Sequence, residues 1–147
     1  MEVQVVEYFQ SFANKFWDSF FWLITKMGEE TFFFFVLMAL YLCYEKKFAF
    51  KFLYFYIINI SINNVVKFIF RRPRPHVAYE SVSNRLQANG YSFPSGHSQG
   101  YFSVATVGML EINKKNNNNT FKLLSLIILS AIGILVMFSR LYWGQHF

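Results

Sequence analysis

Residues 121–139 read FKLLSLIILSAIGILVMFS, an apolar run in which Lys122 is the one charge. A segment of this length and composition is read as a membrane-spanning helix, because a helix satisfies its own backbone groups in hydrocarbon. The rest of the chain agrees with that reading. Of 147 residues, 54% are hydrophobic, 22% are aromatic and 15% are charged, against about 25% charged in an ordinary soluble domain. A soluble globule of this size could not cover twenty phenylalanines without large exposed apolar patches. The same numbers exclude intrinsic disorder, and a single cysteine, Cys43, excludes a disulfide framework. The expected fold is therefore all-α: an integral membrane helical bundle forming one domain over residues 1–147.

Working back from that helix, three further apolar segments read as spans: residues 31–44, 48–70 and 98–112. The first is too short for a hydrocarbon core of ~30 Å. It spans only if the helix continues into Glu29 and Glu30 on one side and into residues 45–47 on the other. The segment 98–112 is rich in small residues, among them Gly100, Ser103, Ala105 and Gly108, which let membrane helices approach closely. Residues 1–28 differ. Val5, Phe9, Phe12, Phe16, Phe20 and Leu23 recur at steps of three and four, with Lys15 and Asp18 on the other face. This predicts an amphipathic helix at the membrane interface, or one packed on the bundle, ahead of a core over 29–147. The start of the chain lacks a basic region followed by an apolar core, so no cleavable signal is expected. Asn116 to Asn119 read as a polar loop.

The links alternate in character. Lys46, Lys47, Lys51, Lys114, Lys115 and Lys122 flank the two short links, which fits cytoplasmic loops under the positive-inside rule. The long segment 71–93 and the end of the chain then lie outside the cell membrane. All five arginines and all three histidines fall in those outer regions or at the helix ends facing them. Arginine presents a planar fork suited to phosphate, whereas lysine is the usual solvated loop charge. The segregation points to an anion site on one side, although arginines near helix ends also contact lipid headgroups.

Three clusters carry the chemistry. In the first, Asn59, Asn63 and Lys67 stand four residues apart on one helix face, and Arg74 follows between Pro73 and Pro75. A polar stripe on a membrane helix faces the bundle interior or a wet cavity. The second is Pro94-Ser95-Gly96-His97, where Ser95 can cap the next helix and Gly96 lets the backbone approach a ligand. The third is Ser139-Arg140 followed by His146. Arg140 could clamp an anion, and His146 could act as nucleophile or base.

Taken together, Lys67 with Arg74-Pro75, then Pro94-Ser95-Gly96-His97, then Ser139-Arg140 with His146 resemble the motifs of the type-2 phosphatidic acid phosphatase superfamily, the membrane lipid phosphate phosphatases related to vanadium haloperoxidases, and especially its small bacterial members. The resemblance implies roles for the matched positions. His146 would attack phosphorus and form a phosphohistidine, and His97 would protonate the leaving oxygen. Lys67, Arg74 and Arg140, with Ser95 and the Gly96 backbone, would hold the phosphoryl oxygens. The substrate would be an isoprenyl diphosphate such as undecaprenyl diphosphate, phosphatidate or phosphatidylglycerophosphate, hydrolysed at the extracytoplasmic face. In that family an Asp follows the last His by four residues, a position beyond Phe147, so the chain reads as truncated at its C-terminal end. A reading from another class is a non-catalytic membrane protein that binds or transports anions. Neither a cofactor, a metal nor a nucleic-acid partner is expected: Asp18 is the one Asp, and Glu80 is the acid nearest the motifs. His76 reads as an exposed loop residue that could touch substrate.

Overall fold

A computed structural model describes residues 2–86 and 89–146. Every regular element among the described residues is helical. In chain order they are α1 (Glu2–Ser11), α2 (Lys15–Lys26), α3 (Glu30–Ala39), α4 (Lys46–Phe70), the short α5 (Pro75–Ala78), α6 (Gly96–Lys115) and α7 (Asn119–Tyr142). α6 lies between α4 and α7, and α2 packs along α7.

Two helices, α4 and α7, are long and apolar enough to cross a bilayer, yet only 17% and 11% of their apolar windows is buried inside the protein. Such helices are not the core of a soluble fold. Phe55, Ile58, Ile62 and Phe68 on α4, and Leu124, Ile127 and Ile128 on α7, point outward, where only lipid covers such a surface without a large cost. α6 has 20 residues, about 30 Å of helix, but carries many polar groups that face its neighbours. Ser103 donates to Asn59 Oδ1 (2.8 Å), Asn63 donates to Gln99 Oε1 (2.7 Å), and the Tyr101 hydroxyl donates to the Leu129 carbonyl (3.2 Å). Inter-helix bonds of this kind are worth about 0.6 kcal/mol each on average in a membrane protein.

The small residues of α6 divide in use. A Cβ on Gly100 would stand 3.1 Å from the Phe33 ring, so α6 and α3 approach closely there. Gly108 has nothing within 4 Å of such a Cβ, and does not serve close approach.

Two expectations are corrected. The first 28 residues form two helices, not one. The Asn14 side chain accepts the Trp17 N–H (3.0 Å) and starts a new helix, as a short polar side chain with extended backbone does at an N-cap. Of the two placements left open for this region, α2 takes the one packed on the bundle, against α7. Phe21 stacks on the fully buried Tyr142 with ring centroids 4.5 Å apart. Asp18 accepts from the Tyr142 hydroxyl and pairs with Arg85 at 3.0 Å, a partner that allows a carboxylate to leave bulk water.

The second correction concerns the short span. α3 continues only through a π-helical turn, Leu40–Tyr44, and the chain reverses at Glu45, whose φ of −143° is extended. α4 begins at the next residue. The apolar helix Glu30–Tyr44 therefore covers 15 residues, about 22 Å. The reversal is closed by Lys115, which reaches Glu45 at 2.6 Å from the end of α6. Both lysine-bearing links thus lie at one end of the bundle.

Candidate active site

The opposite end is organised by helix terminations. α4 stops at Phe70 because Arg71 turns left-handed (φ 47°) and returns its N–H to the Lys67 carbonyl, an αL cap that precedes Pro73. α6 starts at Gly96, capped by Ser95, whose side chain accepts from the Ser98 N–H and hydroxyl. Two residues past α7, Gly144 (φ 66°) turns the chain back so that Gln145 and His146 point inward.

These ends enclose a cavity of about 570 Å³. Lys67, Arg74, Gly96, His97, Arg140 and His146 all line it. Ser95, expected to help hold the phosphoryl oxygens, is not among the lining residues and serves as the α6 cap. A Cβ built on Gly96 would lie 3.6 Å from Asn63 Oδ1 and 3.9 Å from Lys67 Nζ, so the ammonium group stands beside the first turn of α6. Free N–H groups at a helix start and a neighbouring ammonium both favour an anion. Among the described residues neither the Lys67 ammonium nor the His97 ring has a hydrogen-bond partner.

Arg140 is 3% exposed and donates to Thr25 Oγ1 at 2.8 Å, while its Nε is buried with no partner. A buried guanidinium N–H without an acceptor is costly, and an oxyanion in the cavity would supply one. Arg74 is arranged differently. Its Nε donates to the Gly90 carbonyl (3.1 Å), Nη1 to the main-chain and side-chain oxygens of Gln145 (3.1 Å each), and Nη2 to the Asn89 carbonyl (2.7 Å). Four of the five guanidinium N–H groups therefore fasten the chain, and the charge reaches the cavity without the fork.

His146 is 6% exposed, and its Nδ1 lies against the Ser92 carbonyl oxygen. A carbonyl only accepts, so the proton sits on Nδ1 and the Nε2 lone pair is left free. Burial, with the neighbouring Arg140 charge, holds this imidazole well below its usual range. It is neutral near pH 7, as a nucleophile must be. Ser92 is itself fixed, its N–H on the Arg72 carbonyl (2.8 Å) and its hydroxyl on the Pro73 carbonyl (2.7 Å).

The sequence reading missed one wall of the cavity. The turn between α2 and α3 contributes Lys26, Gly28, Glu29 and Glu30. Acids therefore do stand near the motifs, contrary to the expectation that Glu80 was the nearest. Lys26 holds Glu29 at 2.8 Å, and no group of three or more metal-ligating side chains occurs among the described residues. His76 is half-buried and contacts the Gly144 carbonyl through Nδ1 (3.2 Å), so it braces the turn before His146. A Cβ on Gly28 would stand 2.8 Å from the His97 Cβ and 3.2 Å from its Cα. Neither atom can step aside without moving α6. Gly28→Ala is therefore expected to destabilise the fold by about 1–3 kcal/mol, as overpacking does. Thermal unfolding in detergent checks this, and an unchanged Tm would mean that the turn is not seated on His97.

A helical membrane bundle with a buried cationic cavity and two histidines is the class that these features define. The family profile of the PAP2 superfamily matches residues 48–147, and the chain belongs to that superfamily. Among known proteins it is 27% identical over 154 residues to a probable sphingosine-1-phosphate phosphatase of Dictyostelium discoideum, covering 99% of this chain and 37% of the relative. It is 35% identical over 92 residues to the dolichyldiphosphatase of Saccharomyces cerevisiae, covering 61% of this chain and 38% of that protein. The chain thus spans less than two fifths of the length of these curated relatives. The fold matches the crystal structure of a transmembrane PAP2-type phosphatidylglycerolphosphate phosphatase from Bacillus subtilis with a TM-score of 0.82 at 21% identity, over 99% of this chain and 73% of that one.

Proposed function

We propose that the protein hydrolyses a phosphate monoester or diphosphate on a membrane lipid through a phosphohistidine intermediate. The observation that carries this reading is the shared cavity, where a neutral His146 and His97 stand among Lys67, Arg74 and Arg140. His146 Nε2 attacks phosphorus, the bond to the lipid oxygen breaks, and His97, protonated once the anionic phosphate offsets the surrounding cations, gives its proton to that oxygen and is left neutral. Water then attacks the phosphohistidine, with His97 taking back the proton. The cations and the first N–H groups of α6 stabilise the charge that grows on the equatorial oxygens. The names of the relatives support a lipid phosphate as substrate: sphingosine-1-phosphate in one, a dolichyl diphosphate in another, phosphatidylglycerolphosphate in the structural match.

In this reading protein cations, not a metal, neutralise the transferring group. Phosphate release from phosphatidate or an isoprenyl diphosphate is therefore expected to continue in detergent with excess EDTA. Complete loss, restored by magnesium, would replace the phosphohistidine route with a metal-dependent one.

The proposed orientation puts the cavity on the extracytoplasmic side of the cell membrane and the links around Glu45 and Asn117 in the cytoplasm. It rests on the lysines of those links, which the fold gathers at one end. In a Cys43-free background, a cysteine at Glu80 is expected to react with an impermeant reagent on intact cells, and one at Asn117 is not. Equal labelling of both positions overturns the orientation.

A further inference from the structure

Arg74 and Arg140 are both buried and both line the cavity, but they are held in opposite ways. Arg74 commits Nε and both terminal nitrogens to oxygens of the chain. The Arg140 side chain makes a single hydrogen bond among the described residues, from Nη1 to Thr25 Oγ1 at 2.8 Å. Its Nε is buried without an acceptor. In a guanidinium group Nη1 lies on the Cδ edge, and the Nε and Nη2 N–H groups point side by side from another edge as a fixed fork. That pair matches two oxygens of one phosphoryl group. Thr25 therefore holds the arginine by the nitrogen that the fork does not use.

Thr25 is fully buried in the last turn of α2 and is not among the residues that line the cavity. The end of α2 is itself fixed. Three residues on, a Cβ at Gly28 would stand 3.1 Å from Val136 of α7, one turn before Arg140. The hydroxyl is thus a stationary acceptor for the tip of a long, flexible side chain. α2 also precedes the residues that the family profile matches, so the motifs themselves do not include this contact.

Resting on the phosphatase reading above, we infer that Thr25 is a positioning residue for phosphoryl transfer: it anchors Nη1 of Arg140 so that the Nε and Nη2 fork meets the equatorial oxygens of the transferring group. Thr25 touches no substrate atom and acts through Arg140. Its effect is greatest when charge builds on those oxygens, because a misaligned donor loses more against the transition state than against the bound substrate.

The test measures phosphate release by the intact protein in detergent, on whichever of phosphatidate and an isoprenyl diphosphate it turns over faster. Inhibition by vanadate is measured alongside, since that anion takes up the geometry of the transferring group. Thr25→Val keeps the shape of the side chain and removes the acceptor. It is expected to lower kcat by about ten- to a hundredfold, the weight of one hydrogen bond to a charged group, and to leave KM within about threefold. Vanadate inhibition is expected to weaken by a factor similar to the loss in kcat. Thr25→Ser returns the hydroxyl and is expected to recover most of both. Where Thr25→Val does not accumulate as folded protein, Thr25→Cys, a weak acceptor of similar shape, takes its place with a smaller loss of the same kind. An unchanged kcat, a loss confined to KM, or a Thr25→Ser variant as impaired as Thr25→Val overturns the positioning role and leaves the phosphatase reading standing. Failure of the unmodified protein to release phosphate from either substrate removes the phosphatase reading and this role with it.

Discussion

His146→Ala in the intact protein is expected to abolish turnover, a loss on the order of 10⁶-fold if it matches removal of the nucleophile in other covalent hydrolases. Among the described residues no second nucleophile is placed to take over. Ser95 is engaged as the cap of α6, and His97 cannot both attack and protonate the leaving oxygen. The side chain is also part of the packing, being 6% exposed with Nδ1 on Ser92. The variant is therefore judged by two measurements. Acid-quenched protein incubated with labelled substrate should carry no phosphohistidine, and the unfolding temperature should show that the fold persists. Turnover above a hundredth of the original rate in folded protein would mean that phosphate passes to water without a covalent step.

His97→Ala is expected to cost about 10²–10⁴-fold, the usual contribution of a general acid, and the loss should depend on the leaving group. Phosphatidate departs as a basic alkoxide that needs the proton. An isoprenyl diphosphate departs as a phosphate-stabilised oxygen that needs it less. The deficit is therefore expected to be larger on phosphatidate, read as the ratio of kcat/KM between protein and variant on each substrate. Equal deficits on both would reassign His97 from proton donor to electrostatic or packing partner. The seat of Gly28 on His97 makes this control important, because a repacked α6 would slow both reactions alike.

The parts of this protein that were legible in sequence are those whose signal is local and repetitive. The apolar runs that became α4 and α7 report lipid contact directly, because every outward position must be apolar. The polar stripe of Asn59, Asn63 and Lys67 marked the face of α4 that lines the cavity. Boundaries were read less well where one residue decides them. Asn14 ends one helix and caps another, but a short polar residue within an amphipathic pattern looks the same whether it caps or faces water. Glu45 reverses the chain in a single extended residue, where charged residues at the end of a short span suggested continuation.

The wall formed by Lys26, Glu29 and Glu30 was missed for another reason. Its acids looked like anchors at the end of a span, and the packing of Gly28 against His97 brings their turn to the cavity wall. Helix N-caps and close glycine contacts together carried the signal: a Gly followed by two acids, just after a basic helix end, marks a turn that must sit on something.

Arg74 shows how a charge can be present at a site without being a hand that grips. Its N–H groups are committed to Gly90, Asn89 and Gln145, so what it offers an incoming anion is a fixed potential with no directional demand. A site that attracts by potential tolerates oxygens in different arrangements and leaves discrimination to the remaining walls. The same commitment makes Arg74 the rivet between the loop that carries Asn89 and Gly90 and the segment that carries His146. Replacing it with lysine would keep the field and release the rivet, uncoupling two properties that a single side chain here supplies together.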